Sequence, residues 1–115
     1  DVEYVPADET TPQFRDIYIR NVVCSGAARA MYFNGIPEKN IENIVVEDCE
    51  IVSDKGADLR YSTGVVLKNV SISQADSLGY SLANCKNVVL RNCKDASGSV
   101  VNEVLQYKSE NVVIE

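Results

Sequence analysis

Short segments with apolar residues at alternate positions recur along this chain of 115 residues. In each, the apolar positions are followed by a charged residue in most copies and then by Asn or Asp. Alternation with a period of two over β-branched residues is a β-strand signal. The chain is therefore predicted to repeat one unit of a strand and a turn. The segments are DIYIRNVVC at 16–24, NIVVEDCEI at 43–51, GVVLKNVSI at 64–72, NVVLRNCK at 87–94 and NVVIE at 111–115.

Aligning these segments gives two apolar columns, which are two positions apart in each copy. Successive copies are 21 to 27 residues apart. A second apolar position follows within each repeat, at Phe33, Leu59, Leu82 and Leu105, and turn-forming residues lie between the strand-like parts. The first column consists of Ile17, Ile44, Val65, Val88 and Val112, and the second of Ile19, Val46, Leu67, Leu90 and Ile114.

A repeat of this length with two or three short strands predicts an all-β solenoid. Like positions then stack on successive coils at the ~4.8 Å strand spacing. We expect one domain over residues 1–115, with about four to five coils of 21–27 residues and a leading loop or linker over 1–13. A leucine-rich repeat has a similar period, but the fixed L-x-x-L-x-L spacing is missing here. A structural polar ladder is predicted in the turns, at Asn21, Asp48, Asn69 and Asn92.

The charge and composition of the chain argue against nucleic-acid binding, membrane spanning and metal binding. The formal net charge of −6 and the isoelectric point of about 4.6 argue against a nucleic-acid partner, because phosphate binding needs a clustered basic face. No apolar run approaches the ~20 residues that a membrane span requires. The chain has no His and no C-x-x-C pair, so we expect neither a metal site nor a cofactor.

The cysteines replace apolar residues in the aligned columns. Cys49 and Cys93 share one column two coils apart, roughly 9.6 Å from the strand spacing, which is too far for a disulfide. A buried free cysteine behaves as a small apolar residue. We therefore predict that Cys24, Cys49, Cys85 and Cys93 are reduced and largely buried.

Residues 11–72, which run from TPQFRDIYIRNVVCSG to YSTGVVLKNVSI, resemble the last coils of glycoside hydrolase family 28, the polygalacturonases and related pectin hydrolases. The resemblance implies a right-handed parallel β-helix. It also implies a parent enzyme that hydrolyses α-1,4-galacturonide bonds with inversion, one carboxylic acid protonating the leaving oxygen and others activating water. The family signatures Asn-Thr-Asp, Asp-Asp, Gly-His-Gly and Arg-Ile-Lys are all missing from this sequence.

The missing signatures determine which part of such an enzyme this chain resembles. The nearest counterpart of Asp-Asp is Lys55-Gly56, and neither residue can act as an acid or base of that kind. In the family these motifs precede the coils that resemble this chain. We therefore expect the C-terminal scaffold and cap coils of a longer hydrolase, inactive alone, and assign no catalytic residue. A secreted or periplasmic location follows from the polymeric substrate.

Two other functions remain open. The chain is alternatively a non-catalytic β-solenoid module for carbohydrate binding or surface interaction. A polysaccharide lyase on the same fold is a further possibility, and it would carry a calcium site upstream. Endo or exo action and the glycan linkage are not specified by these residues.

The candidate substrate-binding residues lie in the second strand segments, where the resemblance implies the floor of the family's cleft. Arg29 and Arg60 are expected to pair with uronate carboxylates, and Tyr80 to stack on a sugar ring. Polygalacturonate or pectin is thus the expected partner of the intact parent.

The outward positions of the first strand segments form an apolar stripe. Strands that are apolar on both faces are usually covered on both, and exposed strand edges recruit partners. We therefore predict self-association through the stripe or through the open end of the first coil. The stripe consists of Tyr18, Val45, Val66, Val89 and Val113.

Overall fold

The computed structural model describes residues 14–74 and 79–115, so the leading segment predicted over residues 1–13 lies outside the described part. In the described residues the chain forms only β-strands, all of them paired in parallel. The prediction of an all-β parallel solenoid is confirmed, with about four turns. The strands are β1 (Arg15–Arg20), β2 (Val23–Asn34), β3 (Ile41–Arg60), β4 (Ser62–Gln74), β5 (Tyr80–Ala83), β6 (Lys86–Arg91), β7 (Leu105–Tyr107) and β8 (Glu110–Ile114).

Each strand pairs with the strand one coil away, and β3 is long enough to take part in both halves of its coil. Its start pairs with β1 and β4, and its end pairs with β2 and β5. We call the strands β1, β4, β6 and β8, together with residues 42–47 of β3, the first layer. The second layer contains β2, β5 and β7, together with residues 57–60 of β3.

The aliphatic columns form the core, as their alternation predicts. Ile17 pairs in register with Ile44, which pairs with Val65 on the next coil. Ile44, Val65 and Leu67 are completely buried. Because parallel strands stack in register, each inward position repeats on the next coil. The apolar columns predicted from the sequence are therefore the buried columns of the structure.

The second-layer column follows the prediction for three coils and departs from it in the fourth. Phe33, Leu59 and Leu82 pair in register. The prediction for Leu105 is wrong, because Gln106 pairs with Leu82 and Leu105 is 55% exposed. Val101 and Val104 pack against the core in this last coil, so the interior is filled from the loop before β7.

The polar column lies in the turn that follows each first-layer strand. All four residues have positive φ angles, a left-handed conformation that Asn and Asp tolerate well. Asn69 Nδ2 donates to Asp48 Oδ1 at 3.0 Å, and Asn92 Nδ2 donates to Asn69 Oδ1 at 2.8 Å. Side-chain hydrogen bonds thus join Asp48, Asn69 and Asn92 on successive coils, while Asn21 reaches its neighbouring coil through its backbone N–H, which donates to the Glu47 carbonyl oxygen at 3.2 Å.

A second polar ladder, which the sequence analysis missed, lies at the start of the first-layer strands. Its members also have positive φ angles. Asn43 Nδ2 donates to Asp16 Oδ1 at 3.0 Å, and Asn111 Nδ2 donates to Asn87 Oδ1 at 2.8 Å. Gly64 interrupts the ladder, with φ +74° and no side chain to join the two halves.

All four cysteines are free, as predicted. Cys49, Cys85 and Cys93 are buried, whereas Cys24 is only half-buried. The sulfur of Cys85 lies 3.3 Å from the Leu59 carbonyl oxygen, and that of Cys93 lies 3.3 Å from the Leu67 carbonyl oxygen. Burial raises the pKa of both thiols, so they are protonated donors inside the stack.

Candidate functional site

The outward side chains of the second layer form the surface on which the candidate substrate-binding residues were sought. Alternation along the strands places Met31 and Leu59 in the core and their neighbours on the outside. Pairing in register then arranges the outward residues in two columns. These are Tyr32, Asp58, Ser81 and Leu105 in one, and Asn34, Arg60, Ala83 and Tyr107 in the other.

Arg29 lies at the edge of this surface, next to Lys55 on the following coil. Both side chains are exposed. The Arg29 Cζ atom lies 4.4 Å from the centroid of the Tyr32 ring, a cation–π contact that orients the guanidinium. No carboxylate of the described residues forms an ion pair with Arg29 or Lys55. Two uncompensated positive charges on adjacent strands favour an anion here.

Arg60 is on the same surface, but its charge is already paired. Its Nε donates to Asp58 Oδ1 at 3.2 Å and its Nη2 donates to Asp58 Oδ2 at 3.1 Å. These hydrogen bonds raise the pKa of Arg60 above its ordinary value. A uronate carboxylate would have to displace Asp58 from this two-point contact. Arg60 is therefore a weaker anchor than Arg29.

Tyr80 lies inside the solenoid, where it is 3% exposed. Its hydroxyl is 3.0 Å from the carbonyl oxygens of both Val70 and Lys94, and it can donate to either. Burial raises the pKa of this phenol far above its usual range. The ring has no face available to a sugar, so Tyr80 stabilises the interior and is left out of the candidate surface.

A groove of about 700 Å³ opens between Tyr80, Val101 and Leu105 and the turn that begins at Asp95. The Asp95 carboxylate accepts hydrogen bonds from the backbone and hydroxyl of Ser97 and from the Ser99 N–H. The hydrogen bond from the Ser97 hydroxyl is the main reason that the pKa of Asp95 is lowered. Asp95 is thus a charged acceptor that closes a turn, unsuited to donate a proton at neutral pH.

Within residues 14–74 and 79–115, no three His, Cys, Asp or Glu side chains are grouped so as to hold a metal ion. The same part of the chain contains no helix long and apolar enough to cross a membrane.

Lys55 is the candidate that sequence reasoning missed, although a signal for it was present. Arg29 and Lys55 each stand four positions before a core residue of the second layer, Phe33 and Leu59 respectively. Equal offsets from an aligned column place two residues side by side on neighbouring coils. The alignment alone therefore predicts that Arg29 and Lys55 lie side by side.

Comparisons of this chain with family models, curated proteins and solved structures found no match. The fold is established by the pairing of the strands. A relation to pectin hydrolases stays a prediction from the resemblance of residues 11–72.

Proposed function

We propose that this chain provides C-terminal scaffold and cap coils of a polygalacturonase-type glycoside hydrolase, and that its second layer contacts the polygalacturonate chain. The coils contribute no catalytic residue. The proposal combines the resemblance of residues 11–72 with the outward chemistry of the second layer. A secreted or periplasmic location belongs to the same proposal, because the substrate is an extracellular polymer.

The observation that carries this proposal is the pair of Arg29 and Lys55. They are one strand spacing apart, exposed, and without a carboxylate partner among the described residues. The Tyr32 ring beside them supplies an apolar surface. Arg and Lys bind carboxylates through charge-assisted hydrogen bonds, and aromatic rings pack against sugars. Polygalacturonate offers a carboxylate on every sugar.

A scaffold role is supported by the β1 and β2 end of the described stack, where both strands pair on one side only. Val23 in β2 is 80% exposed at this end. Such an edge is suited to stack against preceding coils.

Binding of an oligogalacturonate to the full chain tests this function by isothermal titration calorimetry. We expect the double variant R29Q/K55Q to bind about thirtyfold more weakly, since each of the two lost charge-assisted contacts costs roughly 1 kcal/mol. R15Q/K86Q removes the same charge from the first layer and should bind as the wild type does. If both variants lose the same affinity, the binding depends on net charge and not on this pair. If neither variant loses affinity, Arg29 and Lys55 do not form the site.

The non-catalytic binding module is the second candidate, and the same cationic pair supports it. Release of reducing ends from polygalacturonate separates the two functions. A longer protein containing these coils is expected to cleave the polymer, with the chain of residues 1–115 inactive beside it. Binding by this chain without cleavage by the longer protein would favour the binding module.

A further inference from the structure

No other strand of the described residues covers the outward apolar stripe of the first layer, although at its end the Tyr18 hydroxyl donates to Glu47 and the Arg20 Cζ atom lies 5.7 Å from the Tyr18 ring centroid. Its five members pair in register on successive coils. Tyr18 and Val113 at its ends are 58% and 40% exposed, and the three valines between them are half-buried. A continuous apolar ladder in this position is a surface on which another sheet can pack.

A column of charged residues borders the stripe on one side, and on the other side a second column, charged except at Thr63, lies beyond the second polar ladder. The signs alternate incompletely along each column, with a basic residue on the first coil and an acidic residue on the last. Within the chain, Arg15 pairs with Glu42 at 3.4 Å and Arg91 with Glu115 at 2.9 Å. Coil by coil, one column reads Arg20, Glu47, Lys68, Arg91 and Glu115, and the other reads Arg15, Glu42, Thr63, Lys86 and Glu110.

We infer that a second copy of this chain packs on this face, related to the first by a two-fold axis along the strand direction. This axis places the first coil of one copy opposite the fifth first-layer strand of the other. Arg20 then faces Glu115, and Glu47 faces Arg91, twice each per dimer. The other column matches equally, with Arg15 opposite Glu110. On the third coil, which lies opposite itself, Thr63 meets Thr63 and Lys68 meets Lys68 of the second copy, the one like-charge pair of the contact.

The order of charges in the two columns disfavours the other face-to-face arrangement. A two-fold axis along the stacking direction leaves each coil opposite the same coil and exchanges the two columns. Arg20 would then face Arg15, and Glu47 would face Glu42. Like charges held opposite one another destabilise a contact. The charge order along the columns therefore selects one of the two symmetric dimers.

The apolar residues fit the same axis. Tyr18, the one large side chain of the stripe, faces Val113, and Val66 packs on its own copy at the axis. Aligned sheets pack about 10 Å apart with their strands within about 30° of each other. Five strands at ~4.8 Å spacing make a contact about 19 Å long. This is smaller than a standard stable interface, so the dimer is weak and depends on concentration.

Sedimentation equilibrium of the full chain over a wide concentration range tests this inference. We expect a monomer–dimer equilibrium with no larger species. V66N places two amide groups without hydrogen-bond partners at the axis and should abolish the dimer. V52N is the matched control, because Val52 is 53% exposed and lies in β3 outside the stripe, and it should leave the dimer unchanged.

Charge reversal tests the orientation. In the inferred dimer, E47R and R91E each create two repulsive pairs and should weaken dimerisation about tenfold. An equal mixture of the two variants restores both pairs in a heterodimer and should recover the wild-type constant. Mixing changes no contact within either chain, so recovery cannot come from folding, even though Glu47 also pairs with Arg20 at 3.6 Å.

Each outcome decides the inference. Stronger dimerisation of E47R alone would indicate the other axis, in which Glu47 faces Glu42. Failure of the mixture to recover, growth of open-ended oligomers, or a chain that stays monomeric at every concentration would each overturn it. Polygalacturonate binding depends on the second layer, so these results leave the proposed function to its own test.

Discussion

At the residue scale, the Tyr80 hydroxyl is the polar group whose loss should affect the interior most clearly. It lies 3.0 Å from two backbone carbonyl oxygens, those of Val70 and Lys94. Tyr80→Phe keeps the ring and removes the donor, which leaves a buried carbonyl without this partner. We expect the free energy of unfolding to fall by about 1–2 kcal/mol in urea denaturation.

Tyr107→Phe is the control for this change, because Tyr107 is 60% exposed and its hydroxyl is free to bond with water. It should alter the free energy of unfolding by less than about 0.5 kcal/mol. Equal stability of Tyr80→Phe and the wild type would mean that the hydroxyl makes no net contribution in the core.

Alkaline pH should destabilise the fold through its buried thiols. Burial raises the pKa of Cys85 and Cys93 above the ordinary value of 9.0. Above about pH 9 the unfolded chain therefore binds fewer protons at these sites than the folded chain does. Their contribution to stability is complete below about pH 9 and is lost as the pH rises through the folded-state pKa values.

Urea denaturation between pH 7 and 11 measures this dependence. C85A/C93A should show a shallower decline of the free energy of unfolding above pH 9 than the wild type, whatever its stability at neutral pH. Parallel declines in the two proteins would contradict a role for the buried thiols.

For Tyr80 and Arg60, the inward or outward direction of the side chain followed from position in the alternation more than from residue type. Tyr80 stands two positions before the core residue Leu82, so alternation places both on the inside, although its aromatic ring suggested a sugar platform. Arg60, at an outward position, is exposed as expected. Its pairing with Asp58 depends on side-chain rotamers, which one sequence does not specify.

At the element scale, Gly64 is the interruption of the second polar ladder. An added Cβ would lie 3.2 Å from Asn43 Oδ1, the movable end of a side chain, and the φ of +74° is tolerated by Asn. Gly64→Asn should donate to Asn43 and accept from Asn87, continuing the bonds seen at both ends of the ladder. We expect an increase of about 1 kcal/mol in the free energy of unfolding.

Gly64→Ala separates the side-chain bonds from the backbone effect. Ala adds the same Cβ in the left-handed conformation without an amide, so it should destabilise the fold by about 1 kcal/mol. The comparison is made by thermal and urea unfolding of the three proteins. If Asn and Ala lower stability alike, the ladder does not accept a new member at this coil.

The strands of the first layer were predictable, because β-branched alternation repeats there almost unchanged. The second ladder was visible in the same segments, since Asp16, Asn43 and Asn87 each stand one position before a core residue. The last second-layer strand was not predictable from alternation. Its interior is filled by Val101 and Val104, which lie in an irregular loop, and a loop carries no period to read.

At the scale of the whole molecule, the repeat specifies a stack in which each coil contacts only its neighbours. The solenoid could therefore be predicted from one sequence, because five aligned segments carry the same information. The turn closed by Asp95 occurs once in the chain, and so would any contact between an end of the stack and a partner.

A stack of this kind should lose structure from its ends. The central residues Ile44 and Leu67 are completely buried, whereas Phe14 and Leu105 in the outer coils are 57% and 55% exposed. We expect hydrogen exchange to be slowest for the amides of β4 and the start of β3, and fastest for β1, β7 and β8. The measurement is made at a concentration low enough to keep the chain monomeric.

Raising the concentration provides the control, because the inferred dimer covers the face of the first layer and leaves both ends of the stack uncovered. Exchange of β7 should then stay fast, since β7 belongs to the second layer. Exchange at one common rate in all strands would show that the coils unfold as a single cooperative unit. The free energy of unfolding would then be the same for all coils, and the outer coils would not unfold before the central ones.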